Sequence, residues 1–140
     1  MPDACLDANL VLAWLLPMQS SSAADLARTE LLEGRFTLKA PPLLFVEVPS
    51  VIRARVYSRR LSIEVGNAAF EAFCDLGIES FHDDNLHIRA WQLAVELAMP
   101  KAYDAQYLAA AELLDCDLWT MDQRLSNSVS GRFPRLRLLR

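Results

Sequence analysis

Residues 103–122 read YDAQYLAAAELLDCDLWTMD, and this stretch decides the architecture. From 104 to 114 the side chains are apolar nearly all round, with Gln106 and Glu112 as the chief polar breaks, and such a helix is buried. Residues 118–120 then read as a short strand. A buried helix feeding a buried strand is the repeating half of a parallel sheet with covered faces. Acids stand at both ends of the stretch, Asp104 where the helix begins and Asp122 just past the strand. A carboxylate beside a hydrophobic core is costly unless its desolvation is offset.

The same alternation extends outward in both directions. Residues 4–7 form a brief strand ending on Asp7, and 9–16 a short helix stopped by Pro17. Ser20, Ser21 and Ser22 offer caps for a helix reaching about Leu32, ended by Gly34. Residues 37–40 fit a second strand, and Pro41 and Pro42 open a helix that reaches about Ser58. Pro49 removes one backbone donor inside it, which predicts a kink or local break just past Glu47. Residues 62–76 read as helix, followed by a short strand around Ile78. Residues 83–99 form an amphipathic helix with Ile88, Trp91, Val95 and Ala98 on one face. A short helix over 122–128 and a closing strand over 136–139 complete the chain. The expected fold is α/β with a parallel sheet covered on both faces. With no repeat or linker, residues 1–140 are expected to form a single domain.

In open sheets of this kind, sites form outside the carboxyl ends of the strands. Asp7 ends the first strand, Asp122 follows the fourth, and Asp104 begins the helix leading into it. Three acids therefore fall at one edge for a topological reason, and Glu47, near the start of its helix, can reach that edge too. Four carboxylates gathered in one place repel each other, and the usual remedy is a bound divalent cation. Each acid has a duller reading beside this one. Asp7, Asp104 and Asp122 can cap helices, and Glu47 alone is one acid in a helix. The combined pattern is what favours a metal site.

The net charge of −4 on its face disfavours a nucleic-acid binder, but its distribution matters more. Arg53, Arg55, Arg59 and Arg60 lie in a stretch free of acids between Glu47 and Glu64, and the chain from Arg124 onward carries five arginines and no acid. Basic flanks around an acidic centre suit a metal site bordered by phosphate contacts, whereas arginines solvating helix faces are the plainer alternative. The apolar run over residues 10–16 is too short to cross a bilayer and follows acids, so neither a membrane span nor a signal peptide is expected. Cys5, Cys74 and Cys116 make no CxxC pair and read as reduced core thiols of a cytoplasmic protein. His82 and His87, five apart, do not share a helix face and are given no role. Tyr107 reads as core packing with its hydroxyl tied to a neighbour. Trp14, Trp91 and Trp119 read as core or subunit-interface residues. A homodimer is the expected assembly, with Leu138 and Leu139 either in its interface or buried by the closing strand.

Taken together, the chain resembles the PIN-domain nucleases, especially the VapC-type toxins of bacterial toxin–antitoxin pairs. The resemblance is carried by LDANLVL at 6–12, PPLLFVEVPSVIRAR at 41–55 and YDAQYLAAAELLDCDLWTMDQRL at 103–125, which together span nearly the whole chain. It implies a three-layer α/β/α sandwich around a parallel sheet of about four or five strands, and RNA cleavage dependent on Mg2+ or Mn2+. It also implies that Asp7, Glu47, Asp104 and Asp122 are the catalytic, metal-binding quartet, with Asn9 and Thr120 supporting it. Asp7 and Asp104 are expected as the most direct ligands, with products carrying a 5′-phosphate and a 3′-hydroxyl. A cognate antitoxin is the implied protein partner and RNA the substrate. Three details depart from the family pattern: Ala8 replaces a frequent threonine, Pro49 closely follows Glu47, and Asp115-Cys116-Asp117 replaces a glycine-bearing turn.

Competing readings are an RNA-processing or turnover nuclease without an antitoxin, and a non-catalytic binding domain of the same fold. A haloacid-dehalogenase reading wants a second aspartate where Asn9 stands. A receiver-domain reading wants early paired acids and a late lysine, but the chain has only Lys39 and Lys101.

Overall fold

Five short strands lie side by side in one wholly parallel sheet, in a computed structural model that describes residues 1–129 and 131–140. They are β1 (Asp3–Leu6), β2 (Thr37–Ala40), β3 (Glu79–Ser80), β4 (Leu118–Thr120) and β5 (Leu136–Leu138). Their order is β3-β2-β1-β4-β5, so the chain winds outward one way from β1 and the other way from β4. The central position of β1 follows from its composition, since Ala4, Cys5 and Leu6 are apolar and completely buried. Cys5 pairs with Leu118 and Leu6 with Trp119 on one side, while Ala4 pairs with Leu38 on the other.

The connecting helices are α1 (Ala8–Leu15), α2 (Ser22–Glu33), α3 (Leu44–Tyr57), α4 (Ile63–Asp75), α5 (Leu86–Glu96), α6 (Tyr103–Leu114) and α7 (Gln123–Val129). Helix α1 packs against α2, α3 and α4, and α5 packs along α6, which also rests on β1. The result is the expected α/β/α sandwich. Among the described residues no helix is long and apolar enough to cross a membrane.

Local signals in the sequence account for the helix ends. The Ser21 and Ser62 hydroxyls accept the N–H groups of Ala24 and Val65, each at 3.1 Å, and start α2 and α4. Gly34 closes α2, although the left-handed residue is Arg35 (φ 54°). A Cβ on Gly34 would stand 2.6 Å from the Phe36 ring, so close packing is the reason for that glycine. After α6, Asp115 itself adopts the left-handed conformation (φ 56°), a geometry aspartate tolerates better than most residues. That explains how Asp115-Cys116-Asp117 replaces a glycine-bearing turn.

Four expectations need correction. Helix α3 runs through Pro49 as one element instead of breaking there; the proline forgoes only its own N–H bond toward the Phe45 carbonyl. Helix α5 is shorter than residues 83–99 and turns the opposite face inward. Leu86, Ala90, Leu93 and Ala94 are buried, while Ile88, Trp91 and Val95 are 48%, 68% and 63% exposed. Trp91 is therefore no core residue. Cys74 is exposed, so only Cys5 and Cys116 are core thiols.

Candidate active site

The strand order reverses between β1 and β4, and the crevice at their carboxyl ends is where a doubly wound sheet places a site. Asp7 is the first residue beyond β1. Its backbone is extended (φ −95°, ψ 169°), which makes it the N-cap of α1, and its Oδ1 accepts the Leu10 N–H at 3.0 Å. Its Oδ2 accepts the hydroxyl of Thr120, the last residue of β4. Thr120 is completely buried, and its Oγ1 accepts in turn from the Asp122 N–H at 3.0 Å. One hydroxyl thus links the acids that follow the two central strands.

Asp122 is held from its other side as well. Its Oδ1 accepts the N–H groups of Arg124 (3.0 Å) and Leu125 (3.1 Å), capping α7. Capping and site membership are thus compatible readings of Asp7 and Asp122. Asp104 is different: α6 begins one residue earlier, at Tyr103, and Ala102 occupies its N-cap position. Asp104 is therefore a first-turn acid with its carboxylate uncommitted to capping. Glu47 occupies the first turn of α3 and is partly buried.

The electrostatics show that the four acids share one neighbourhood. Burial pushes the Asp7 carboxyl up to about 7, and the charges of Asp122 and Asp104 push the same way against the hydrogen bonds from Thr120 and Leu10. Asp104 is raised by its own burial and by Asp122, and is partly relieved by the Arg124 guanidinium. Glu47 is raised by burial and by Asp104. Each member of the quartet thus feels, or acts on, another. Repulsion of this kind is what a cation relieves.

Tyr107, one turn along α6 from Asp104, is buried beside Glu47 and Asp7, which help to raise its phenol. Its hydroxyl faces the Glu47 carboxylate and favours its charged form, the neighbour to which a tie was expected, although the pair is not in strict hydrogen-bonding alignment. Asn9 stands exposed in the first turn of α1, without a side-chain hydrogen bond to the acids. His82 and His87 are exposed.

Among the described residues no three carboxylate, thiol or imidazole groups enclose a metal position by themselves. The donors are nonetheless all hard oxygens, with the Tyr107 phenol beside Glu47. That set suits a small divalent cation that keeps several of its waters and takes one or two carboxylates directly.

The arginines sort themselves by partner. Arg135 pairs with Asp115, and Arg137 pairs with Glu30 while lying 4.0 Å above the Trp119 ring. Arg132 donates to the carbonyls of Glu96, Leu97, Ser128 and Val129. These three tie the C-terminal segment to the body, and Arg124 is the one beside the acids.

Known proteins resemble this chain in both sequence and fold. The PIN-domain family model matches residues 4–128. Ribonuclease VapC9 of Mycobacterium tuberculosis is 32% identical over 129 residues, covering 92% of this chain and 93% of that protein. A VapC ribonuclease of Mycobacterium bovis matches to the same extent. Ribonuclease VapC1 of M. tuberculosis is 38% identical over 88 residues, 62% of this chain and 64% of its own. In fold, the chain superposes on a crystal structure of VapBC2 from Rickettsia felis bound to a promoter DNA fragment. The TM-score is 0.70 at 14% identity, over 98% of each chain. With an acid-lined crevice at the β1–β4 reversal and a family match across nearly its whole length, this chain belongs to the PIN-domain family, among the VapC ribonucleases.

Proposed function

We infer that this chain is an endoribonuclease of the VapC type, the toxin of a toxin–antitoxin pair, and that its cleavage depends on Mg2+ or Mn2+. The observation that carries this reading is the convergence of Asp7, Glu47, Asp104 and Asp122 at one sheet edge, where Asp122 and Asp104 raise Asp7, Asp122 raises Asp104 and Asp104 raises Glu47. Asp7 and Asp104 would hold the ion most directly, with Glu47 and Asp122 completing the site or orienting water. When bound, the cation supplies charge relief on the phosphate and an activated water. Thr120 fixes the Asp7 carboxylate and the Asp122 backbone in one geometry, so the acids are placed before substrate arrives. Tyr107 offers a buried O–H beside Glu47 that can orient that carboxylate.

The relatives named as VapC ribonucleases support the activity, and the VapBC2 neighbour supports an antitoxin partner for this chain. A homodimer has a fitting surface in the exposed Ile88–Trp91–Val95 stripe of α5, since contiguous apolar surface of this kind marks association. A cytoplasmic location follows from an RNA substrate and from thiols that form no disulfide.

The test is incubation of purified protein with total RNA and magnesium, followed by mapping of the new 5′ ends. Discrete cleavage is expected, with a 5′-phosphate on the downstream product. Asp7→Asn and Asp104→Asn should each abolish it while remaining folded. Undiminished cleavage by both variants, free of host nuclease, would refute the assignment. Magnesium should also raise the melting temperature, because binding to the folded state alone stabilises by roughly 2.7 kcal/mol at a hundredfold excess over Kd.

A further inference from the structure

The acid crevice opens into a cleft of about 500 Å³ whose wall carries Asp104 and Asp122, together with Lys101, Arg124 and Tyr103. Tyr103 immediately precedes Asp104 and is 61% exposed, unusual for an aromatic at the mouth of a charged cleft. The same ring borders a second hollow of about 430 Å³, lined by Pro42, Leu43, Val46, Ala102 and Gln106. Tyr103 therefore stands between a cleft that carries Asp104 and Asp122 and a hollow that carries no charged group. Among the described residues neither Lys101 nor Arg124 takes part in an ion pair, whereas Arg132, Arg135 and Arg137 are tied to protein groups.

These features combine in only a few useful ways. A protein of net charge −4 with an acidic crevice repels a polyanion, so a substrate phosphate needs local cations to approach. Lys101 and Arg124 are the cations of that cleft. An exposed aromatic face beside them offers what a single strand presents and a duplex hides, namely a free base to stack.

We propose that Tyr103 is a stacking platform for the base beside the cleaved phosphate, with Lys101 and Arg124 gripping the adjoining backbone of single-stranded RNA. The proposal rests on the ribonuclease reading and assigns that site its nucleotide subsite. Tyr103 is a specificity-determining residue here. Its ring selects for unpaired bases, while the apolar hollow beyond it receives the next nucleotide. The Tyr103 hydroxyl has no part in this.

The experiment uses a single-stranded RNA oligonucleotide carrying 2-aminopurine, whose fluorescence is quenched by stacking. It is mixed with the full chain bearing Asp7→Asn, in magnesium. Quenching is expected, and Tyr103→Ala in the same background should abolish it and weaken binding roughly 5- to 150-fold. Tyr103→Phe should restore both. In the wild-type background Tyr103→Ala should raise KM while the magnesium-induced rise in melting temperature stays intact. Lys101→Ala and Arg124→Ala should each flatten the slope of log affinity against log salt by roughly 0.7.

An unchanged KM and undiminished quenching in Tyr103→Ala overturn the proposal. So does equal binding of the matching duplex, or a Tyr103→Ala variant impaired only in silencing by its antitoxin, which would make the ring a protein contact. Failure of the wild-type chain to cleave sinks the ribonuclease reading instead. The quenching measurement needs no cleavage and still decides the subsite.

Discussion

Asp7 is a carboxylate held under electrostatic tension. Its folded-state carboxyl titrates near 7, far above its ordinary value, because burial and the neighbouring acids disfavour the charge. Below about pH 4 the group is protonated whether the chain is folded or not. As pH rises toward 7 the unfolded chain releases this proton and the folded chain retains it, so stability falls across that window by up to about 4 kcal/mol. Glu47 and Asp104, raised in the same direction, add to the slope. Urea unfolding in EDTA at stepped pH should show this decline. Asp7→Asn should remove most of it and exceed the wild type at pH 8. Thr120→Val makes the complementary case, leaving Asp7 Oδ2 without its hydroxyl donor and the Asp122 N–H without its acceptor. A loss of about 1–3 kcal/mol and of cleavage is expected, with recovery in Thr120→Ser. The positions of Asp7 and Asp122 were legible in the sequence because strand ends fix them, and that of Asp104 because a helix start does. The Thr120 bridge was foreshadowed as a supporting role beside the acids, but not which two of them it links. Which neighbour Tyr107 faces and the exposure of Asn9 depend on side-chain directions that spacing does not encode.

Helix faces mark the next limit of what the sequence disclosed. Helix α5 has two apolar sides, Leu86–Ala90–Leu93–Ala94 and Ile88–Trp91–Val95, and periodicity alone does not say which one turns inward. The partner decides. The alanines of α6 allow close approach, and the α5 side with the smaller residues fits against them. Arg89 then reaches across from α5 and grips Glu112 of α6 with two of its nitrogens, Nη2 at 3.0 Å, while touching Glu96 at 3.2 Å. Both carboxylates are more than a third exposed, so Arg89→Ala should cost only about 1 kcal/mol, and less in high salt. The α3–α4 contact is tighter. A Cβ on Gly66 would stand 2.3 Å from Val56 Cγ2, a side chain with little rotamer freedom. Gly66→Ala should therefore destabilise by about 1 kcal/mol despite the gain in helix propensity, and Val56→Ala should relieve the clash when combined with it. Calorimetric melting of the single and double variants checks both expectations.

For the molecule as a whole, the order of elements was legible from turn and strand signals, whereas the fate of the charges was not. Of the five arginines from Arg124 onward, Arg132, Arg135 and Arg137 fasten the C-terminal segment to protein partners, which is neither a phosphate contact nor the solvation of a helix face. Homodimer formation through α5 can be tested at this scale. Trp91→Glu should shift sedimentation to the monomer and leave the unfolding midpoint of the separated chain nearly unchanged, because the side chain is already 68% exposed. The central strand pair has a further consequence. Thr120 and Asp7 lie 113 positions apart, and the hydroxyl of one holds the carboxylate of the other. While the chain is still being synthesised, Asp7 has neither this partner nor the neighbouring β4, and Asp122 has not yet emerged. Only when β4 has paired with β1 does the Thr120 hydroxyl reach Asp7, so the carboxylates flanking these two strands come into register together, in the last step of closing the sheet between them.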